Sequence, residues 1–214
     1  MHRTGVSVVV LATILGLAGC SSGGSKDAGA PSPANADPTC ASATTVAGSD
    51  NGPETNPPGD IPDDQAFVAY SPPDNLYTVK VPEGWARTQS ADSPSGHVTF
   101  TDKLNVIDVL VVDAPTAPTV ESAKATDVPS LAAAAPCFEL GDVKTVKRKA
   151  GTAVLVTYTA DSSPDAVTGK VVHDDVERYE LWRNGKEAVL TLSGPAGSDN
   201  VDPWKIVTDS FAWR

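Results

Sequence analysis

Histidine is scarce in this sequence, and the motifs of common catalytic sites are missing. The 214 residues contain three histidines, His2, His97 and His173, and none lies in a cluster with the spacing of metal ligands. There is no G-x-S-x-G, S-x-x-K or H-E-x-x-H motif, and the pair Gly169-Lys170 lacks the earlier glycine of a phosphate-binding loop. We therefore expect no catalytic residues, no metal site and no cofactor.

His173 is followed by two acidic residues, and this combination can in principle bind a cation. Asp174 and Asp175 are adjacent, so in a strand their side chains would point to opposite faces of the sheet. A solvated loop between two strands is the simpler interpretation of this stretch.

Positive charge is limited as well. The chain has 16 Lys and Arg against 27 Asp and Glu, a formal net charge of −11, and Arg3 is the only charged residue among the first 19. Proteins bind nucleic acids mainly by neutralising phosphates with Lys and Arg. The composition argues against a nucleic-acid partner and is typical of a protein that is soluble outside the cell.

Long hydrophobic runs are absent except at the start. Arg3 precedes an apolar stretch of about 15 residues, Gly5–Gly19, which is shorter than the roughly 20 residues of a membrane-spanning helix. Small residues, Ala18 and Gly19, come directly before Cys20. The pattern predicts a signal peptide, residues 1–19, that is removed.

Leu17-Ala18-Gly19-Cys20 resembles the lipobox of bacterial lipoproteins. The resemblance implies transfer of a diacylglycerol group to the Cys20 thiol and cleavage before Cys20 by a dedicated signal peptidase. Two or more acyl chains bind a membrane stably, whereas a single chain is marginal. The implied location is the extracytoplasmic face of the cell membrane, with the membrane as a partner through Cys20. A transmembrane segment, or a secretory signal with a coincidental cysteine, is the alternative.

Composition then divides the rest of the chain into two parts. Residues 21–60 are dominated by Gly, Ser, Pro, Ala, Thr and Asp and contain no large apolar residue, so they cannot bury enough surface to fold. We expect residues 20–60 to be a lipidated, disordered tether with a reach of roughly 35 Å. Residues 61–214 are expected to form a single globular domain.

Three stretches of this domain predict strands. Leu76–Pro82 alternates in the manner of a half-buried strand, and residues 97–102 are a shorter candidate. Asn105–Ala114 is almost continuously apolar, which predicts a central strand that is covered on both faces.

Asn184-Gly185 predicts a two-residue type I′ hairpin. In that register Leu181 faces Ala188 and Tyr179 faces Leu190, so these side chains share one buried face. A second hairpin is expected to turn near Ala150-Gly151. The basic residues before that turn are expected to be solvated; they are Lys147, Arg148 and Lys149.

Helical segments are few. A short helix is expected after Pro118 and should end at Pro129, and residues 130–136 are a further turn or two. Near the C-terminus Asp202 is the expected N-cap and Pro203 the first helical residue. Trp204, Val207 and Phe211 then share one face of this helix; that face should pack on the sheet. The prediction is an α+β domain, an antiparallel β-sheet with a few packing helices.

The domain also resembles the PsbP-like proteins in three stretches, residues 67–85, 97–114 and 178–213. Pro82, Gly84 and Trp85 match a Pro-x-Gly-Trp turn of that family, and Ser210 and Phe211 match its ending after the last helix. The resemblance implies an α/β/α sandwich and a non-catalytic accessory or binding role, which in actinobacterial lipoproteins of the family is proposed to assist envelope-lipid assembly. These residues are structural in the family, so the resemblance implies no catalytic residue.

Cysteine is rare, with three in the chain. If Cys20 carries lipid, Cys40 and Cys137 are the remaining pair, and isolated pairs tend to be joined in an oxidising compartment. The hypothesis is a disulfide between Cys40 and Cys137; two free thiols are the alternative.

Three functions are consistent with these observations. The first is a membrane-anchored extracytoplasmic lipoprotein that acts as a non-enzymatic binding or accessory module in the cell envelope, with an unknown envelope protein or lipid as its ligand. The second is a carrier of a small molecule or lipid, which needs a deep apolar cavity. The third is a hydrolase whose site the motifs do not reveal. The ligand-binding residues are unknown from sequence.

Overall fold

The computed structural model describes Cys40, residues 58–89 and residues 96–214. The proposed signal peptide, residues 1–19, lies outside the described residues. Cys20 and residues 21–57 of the proposed tether also lie outside them, apart from Cys40. Within the described part of the chain, no helix has both the length and the apolar character needed to cross a membrane.

Antiparallel β-structure dominates the described residues, which contain ten strands in two sheets. The strands are β1 (Phe67–Tyr70), β2 (Tyr77–Pro82), β3 (Ala86–Gln89), β4 (Val98–Thr101), β5 (Val106–Asp113), β6 (Glu139–Arg148), β7 (Gly151–Asp161), β8 (His173–Arg183), β9 (Lys186–Pro195) and β10 (Ala212–Trp213). The large sheet has the order β3-β4-β5-β9-β8-β7-β6, and the small sheet has the order β1-β2-β10. The helices are α1 (Val120–Ser122), α2 (Val128–Ala134) and α3 (Val201–Ser210), with a π-helical turn, Ala123–Asp127, between the first two. The α+β prediction is confirmed.

The Asn-Gly hairpin forms in the predicted register. Asn184 has φ 51° and Gly185 has φ 80°, the positive values that a type I′ turn requires. Leu181 pairs with Ala188, and Tyr179 pairs with Leu190. The second hairpin is also confirmed, because β6 and β7 turn at Lys149-Ala150.

The apolar strand β5 is not covered on both faces, contrary to prediction. Ile107, Val109 and Val111 are buried, but Val112 is 37% exposed and the alternate positions before it are only partly buried. The α1–α2 segment packs elsewhere, against side chains of β6 and β7 that include Val143, Val154 and Val156. That placement leaves the second face of β5 half exposed.

The sequence predicts that the helix after Pro118 ends at Pro129, and this prediction is wrong. The helical segment continues through Pro129 to Ala134, immediately after the π-helical turn. Proline in an ordinary helix interior removes a hydrogen bond and clashes with the preceding turn. Here the wider turn, in which the Val128 N–H bonds to the Ala123 carbonyl, comes directly before the proline.

The last helix begins earlier than predicted. Its N-cap is Asn200, not Asp202, and Pro203 is therefore the third helical residue, not the first. The predicted apolar face is confirmed, because Trp204, Val207 and Phe211 are all buried. Phe211 stacks on Tyr77 of the small sheet with ring centroids 5.2 Å apart.

Strand alternation places helices on both faces of the large sheet. On β7, Ala153 and Leu155 face the core that contains Val207 of α3, whereas Val154 faces Ala123 of the π-helical turn. We call the face that packs against α3 the α3 face, and the face that packs against the α1–α2 segment the α1 face. The small sheet lies on the α3 face.

Candidate functional site

A groove of about 390 Å³ lies between the start of α3 and the adjacent strands β6, β7 and β8. Residues of these strands form one side, and the loop after β9, with Val201 and Trp204, forms the other. We call it the α3 groove. Leu140 at 46% and Val201 at 71% are exposed, so the groove opens to solvent, whereas Trp204 is 7% exposed.

One side of the α3 groove is acidic. Glu139, Asp175 and Glu177 line it, and the lining includes no Lys, Arg or His. Asp175 and Glu177 share the α3 face because they are two residues apart on β8. The carboxylates attract cations, and the Val201 and Trp204 side chains offer apolar contact.

A β-bulge shapes the β6 side of the groove. The β6–β7 register shifts between Leu140 and Val143, and the Asp142 N–H bonds to Thr157 Oγ1 at 2.8 Å. A Cβ added to Gly141 would lie 2.6 Å from Thr157 Oγ1, so glycine permits this close approach. An isolated glycine in a strand is a sequence signal for a bulge, and here sequence reasoning missed it.

Two buried polar atoms belong to residues of the groove lining. Thr159 Oγ1 and Trp204 Nε1 have no hydrogen-bond partner within the described ranges. A buried polar group without a partner costs about 1–3 kcal/mol. A ligand that brings a hydrogen-bond acceptor to the indole N–H would remove part of this cost.

A chain of polar contacts holds the acidic side in place. Arg148 Nη2 donates to the Tyr179 hydroxyl at 2.6 Å, and that hydroxyl donates to Glu177 Oε2 at 2.6 Å. The Arg148 guanidinium also lies over the Tyr179 ring and donates to Thr208 Oγ1. Burial, and then the Glu177 carboxylate, raise the pKa of Tyr179 well above its ordinary value. The hydroxyl is therefore protonated at neutral pH and available as a donor to Glu177.

Arg148 thus differs from the prediction for its cluster. Lys147 and Lys149 are exposed as expected for a solvated turn, but Arg148 is half-buried and makes the contacts described above. Alternation along β6 explains the difference from Lys147, whose side chain lies on the opposite face of the sheet, and Lys149 lies in the turn after β6.

Two buried asparagines are hydrogen-bonded to each other at the start of α3, and one of them, Asn200, lines the groove. Asn200 Oδ1 accepts the Ile61 N–H at 2.8 Å, and Asn200 Nδ2 donates to Asn105 Oδ1 at 2.9 Å. Both asparagine amides donate to the Gly59 carbonyl, at 2.9 and 3.0 Å. Gly59 is buried, so this residue packs with the domain, although the sequence prediction placed it in the tether of residues 20–60.

Cys40 and Cys137 form a disulfide in the structure. Cys137 lies two residues before Glu139, which lines the groove on the β6 side. The disulfide therefore holds Cys40 near this side of the groove. The other predicted site residue, Cys20, stays a prediction because it lies outside the described residues.

Both described histidines contact a carboxylate. His97 Nε2 lies 2.7 Å from Asp108 Oδ1, which also accepts the Thr99 hydroxyl at 2.7 Å. His173 Nδ1 lies 2.8 Å from Asp161 Oδ1. The His173–Asp175 stretch is the start of β8 and not a solvated loop, which corrects the prediction. No group of three or more His, Cys, Asp or Glu placed to hold a metal ion occurs among the described residues.

Asp174, next to the groove residue Asp175, gives a pH prediction. Its Oδ1 is buried without a partner in the described ranges, and burial raises the pKa of Asp174 from 3.8 to about 6. Between these two values the folded state binds more protons than the unfolded chain, so this group lowers stability as pH rises from about 4 to about 6. We expect Asp174→Asn to raise the melting temperature at pH 7.5 and to have no such effect below pH ~4.

The measurement is thermal unfolding of both variants at several pH values. Asp165 provides a control, because the shift of its pKa has the opposite sign to that of Asp174. Hydrogen bonds from Thr168 lower the pKa of this exposed carboxyl. Asp165→Asn should therefore reduce stability at neutral pH. Equal shifts for Asp174→Asn at pH 4 and pH 7.5 would contradict the assignment.

Comparison with known proteins yields similarity in structure alone. No family model matches the chain, and no curated protein matches it. The cyanobacterial PsbP protein CyanoP from Synechocystis sp. PCC 6803 is similar over 70% of this chain and 94% of its own, with 19% identity and a TM-score of 0.48. LpqN of Mycobacterium tuberculosis, described as involved in cell envelope biogenesis, is similar over 70% of this chain and 91% of its own, with 14% identity and a TM-score of 0.42. A Pseudomonas aeruginosa protein, described as a putative regulator, covers 65% of this chain and 91% of its own, with 13% identity and a TM-score of 0.38. At TM-scores below 0.5, these similarities assign no function to the chain.

Proposed function

We propose that this protein is a lipid-anchored, extracytoplasmic binding module of the cell envelope, without catalytic activity, that binds a basic segment of a partner protein in the α3 groove. The single observation that carries the proposal is the charge of the groove. Its lining includes Glu139, Asp175 and Glu177 and no basic residue. Complementary charge steers a basic partner to such a site and selects against acidic partners.

The contacts around the groove support a site that exists before the partner binds. Glu177 is held by Tyr179, and Asp175 Oδ2 accepts the Gly197 N–H at 3.0 Å. Carboxylates that are already fixed lose little side-chain entropy when a cation binds. The apolar Val201, which is 71% exposed, can contact the aliphatic part of a Lys or Arg side chain.

The volume supports this occupant over the carrier that the sequence left open. About 390 Å³ lies near the lower end of the range for small-molecule pockets, and exposed residues form part of the lining. A carrier has to remove most of an apolar ligand from water, which an open groove with three carboxylates does poorly.

The test is a titration of the chain carrying Cys20→Ser, which cannot be lipidated, with a hexalysine peptide. We expect saturable NMR shifts of the Gly141 and Val201 amides that weaken as salt is added, because exposed charge pairs are screened. Glu139→Lys should weaken binding roughly tenfold, the equivalent of about 1.4 kcal/mol.

Asp64→Lys is the matched control, since it makes the same charge change at an exposed residue that is not part of the groove lining. It should change the affinity by less than about twofold. Equal weakening by the two variants would show that the peptide responds to net charge alone. That result, or the absence of saturable shifts at the groove, would refute the proposed site.

A further inference from the structure

A second groove, of about 350 Å³, lies on the α1 face of the large sheet. The start of α1, with Pro118 and Thr119, forms one side, and β6, β7 and β8 form the other. We call it the Glu180 groove after the carboxylate that lines it. It is independent of the proposed function, because Glu180 and Glu177 lie on opposite faces of β8.

Glu180 is an unusual residue for its position. It is 1% exposed, and its Oε1 accepts a hydrogen bond from Arg178 Nε at 2.9 Å. Its second oxygen, Oε2, is buried and has no partner among the residues that the structure describes. Buried carboxylates are almost always fully paired, because a charge without compensation is costly in the interior.

The surroundings of Glu180 are short of positive charge. Arg178 is shared with Asp127, whose Oδ1 lies 3.9 Å from Arg178 Nη2. Burial raises the pKa of Glu180, Arg178 lowers it, and Asp127 and Glu187 raise it. No Lys, Arg or His lines the Glu180 groove itself. A cation that entered the groove would supply the charge that Arg178 supplies only in part.

We propose that the Glu180 groove binds a single ammonium group carried on an aliphatic stem. Oε2 accepts a hydrogen bond from the ammonium, and the Trp182 ring, which also lines the groove, provides apolar and cation–π contact. Thr145 and Thr152 line the same groove, and a threonine hydroxyl can accept a hydrogen bond from a remaining N–H group.

The unpartnered Glu180 Oε2 favours an ammonium over a guanidinium as the bound group. A guanidinium binds a carboxylate best through two parallel hydrogen bonds, one to each oxygen. In Glu180, Oε1 is already bonded to Arg178, so a single acceptor is left. An ammonium group, with its compact charge, suits that arrangement better. The group can belong to a lysine side chain of another protein or to a small free amine.

The experiment follows the indole N–H resonance of Trp182 by NMR in the full chain carrying Cys20→Ser. Butylammonium chloride is the probe, and 1-butanol, its neutral analogue, is the comparison. We expect a saturable shift with butylammonium, with Kd on the order of 1–10 mM, and no saturable shift with butanol at the same concentrations. Glu180→Gln should raise Kd at least tenfold, whereas Glu83→Gln, at an exposed carboxyl outside the groove lining, should change it less than about twofold.

A second variant guards against a folding defect in Glu180→Gln. Thr152→Leu keeps the carboxylate and reduces the space in the groove, and it should also abolish the shift. Equal responses to butanol and butylammonium, unchanged affinity in Glu180→Gln, or no saturable shift at about 100 mM would overturn the proposal. Tighter binding of Nα-acetyl-lysinamide than of ethanolamine would indicate a protein lysine as the natural source, and the reverse order would indicate a small amine.

Discussion

A chain in which Cys40 and Cys137 are both replaced by serine should lose about 4 kcal/mol of its free energy of unfolding. The disulfide joins residues 97 positions apart. In the chain-entropy model, a cross-link that closes a loop of about 100 residues stabilises the folded state by about 4.7 kcal/mol, and measured values are commonly 2–4 kcal/mol. Since domains of this size are stable by about 5–15 kcal/mol, the change would be a large share of the total.

Urea unfolding measures this difference if both chains carry Cys20→Ser. The double-serine chain should unfold at a lower urea concentration with or without reductant. The chain that keeps the disulfide should move to the same midpoint only when reductant is added. If reductant left its midpoint unchanged, or if the two chains differed by less than about 1 kcal/mol, the predicted stabilisation by the Cys40–Cys137 disulfide would be wrong.

Features set by a few neighbouring residues were predicted correctly from the sequence. Asn184-Gly185 specifies a type I′ turn, and once the turn is fixed, strand alternation fixes the pairing of Tyr179 with Leu190. The apolar face of α3 follows in the same way from the helical spacing of Trp204 and Val207.

Features that depend on distant packing were not predictable in this way. Alternation places Glu180 on the polar face of the hairpin, but the helical segment from Val120 to Ala134 packs on that face of the sheet, and Glu180 is 1% exposed. Arg148 is one of three consecutive basic residues, and its role depends on Tyr179, which is 31 positions later. The almost continuous apolar run Asn105–Ala114 predicts a strand that is buried on both faces, but nothing in the run reveals where a helix will pack, and the second face of β5 is only partly buried.

The candidate site shows the same division. The residues that form the α3 groove come from β6, β7, β8 and α3, and only the folded topology brings their carboxylates to one surface. Gly141 was a readable signal for the bulge at its edge. The role of Asn200 was harder to predict from the sequence. Its side chain donates hydrogen bonds to Asn105 and to the Gly59 carbonyl and makes no cap hydrogen bond to its own helix.

Asn200→Ala should destabilise the domain by about 3 kcal/mol or more, because it removes partners from three buried groups at once. The Ile61 N–H and Asn105 Oδ1 would lose their hydrogen bonds to Asn200, and the Gly59 carbonyl would lose one of its two donors. Each buried group left without a partner costs about 1–3 kcal/mol.

A glycine variant tests the same network without removing a hydrogen-bonding group. A Cβ at Gly194 would clash with Asn105 Oδ1 and lie 3.1 Å from Asn200 Nδ2. Gly194→Ala should therefore also destabilise, by about 1–3 kcal/mol, through displacement of Asn105.

Asp199→Ala is the matched control, since Asp199 is the exposed neighbour of Asn200 and its hydrogen bond to Asp60 Oδ1 comes from the backbone N–H, which alanine keeps. It should change the stability by less than about 0.5 kcal/mol in the same urea measurement. The network joins the start of α3, the residue before β5 and residues 59–61, so its loss should also increase amide hydrogen exchange at Ile61 and Trp204 before global unfolding. Unchanged exchange at both amides in Asn200→Ala would mean that other contacts hold residues 59–61 against the domain.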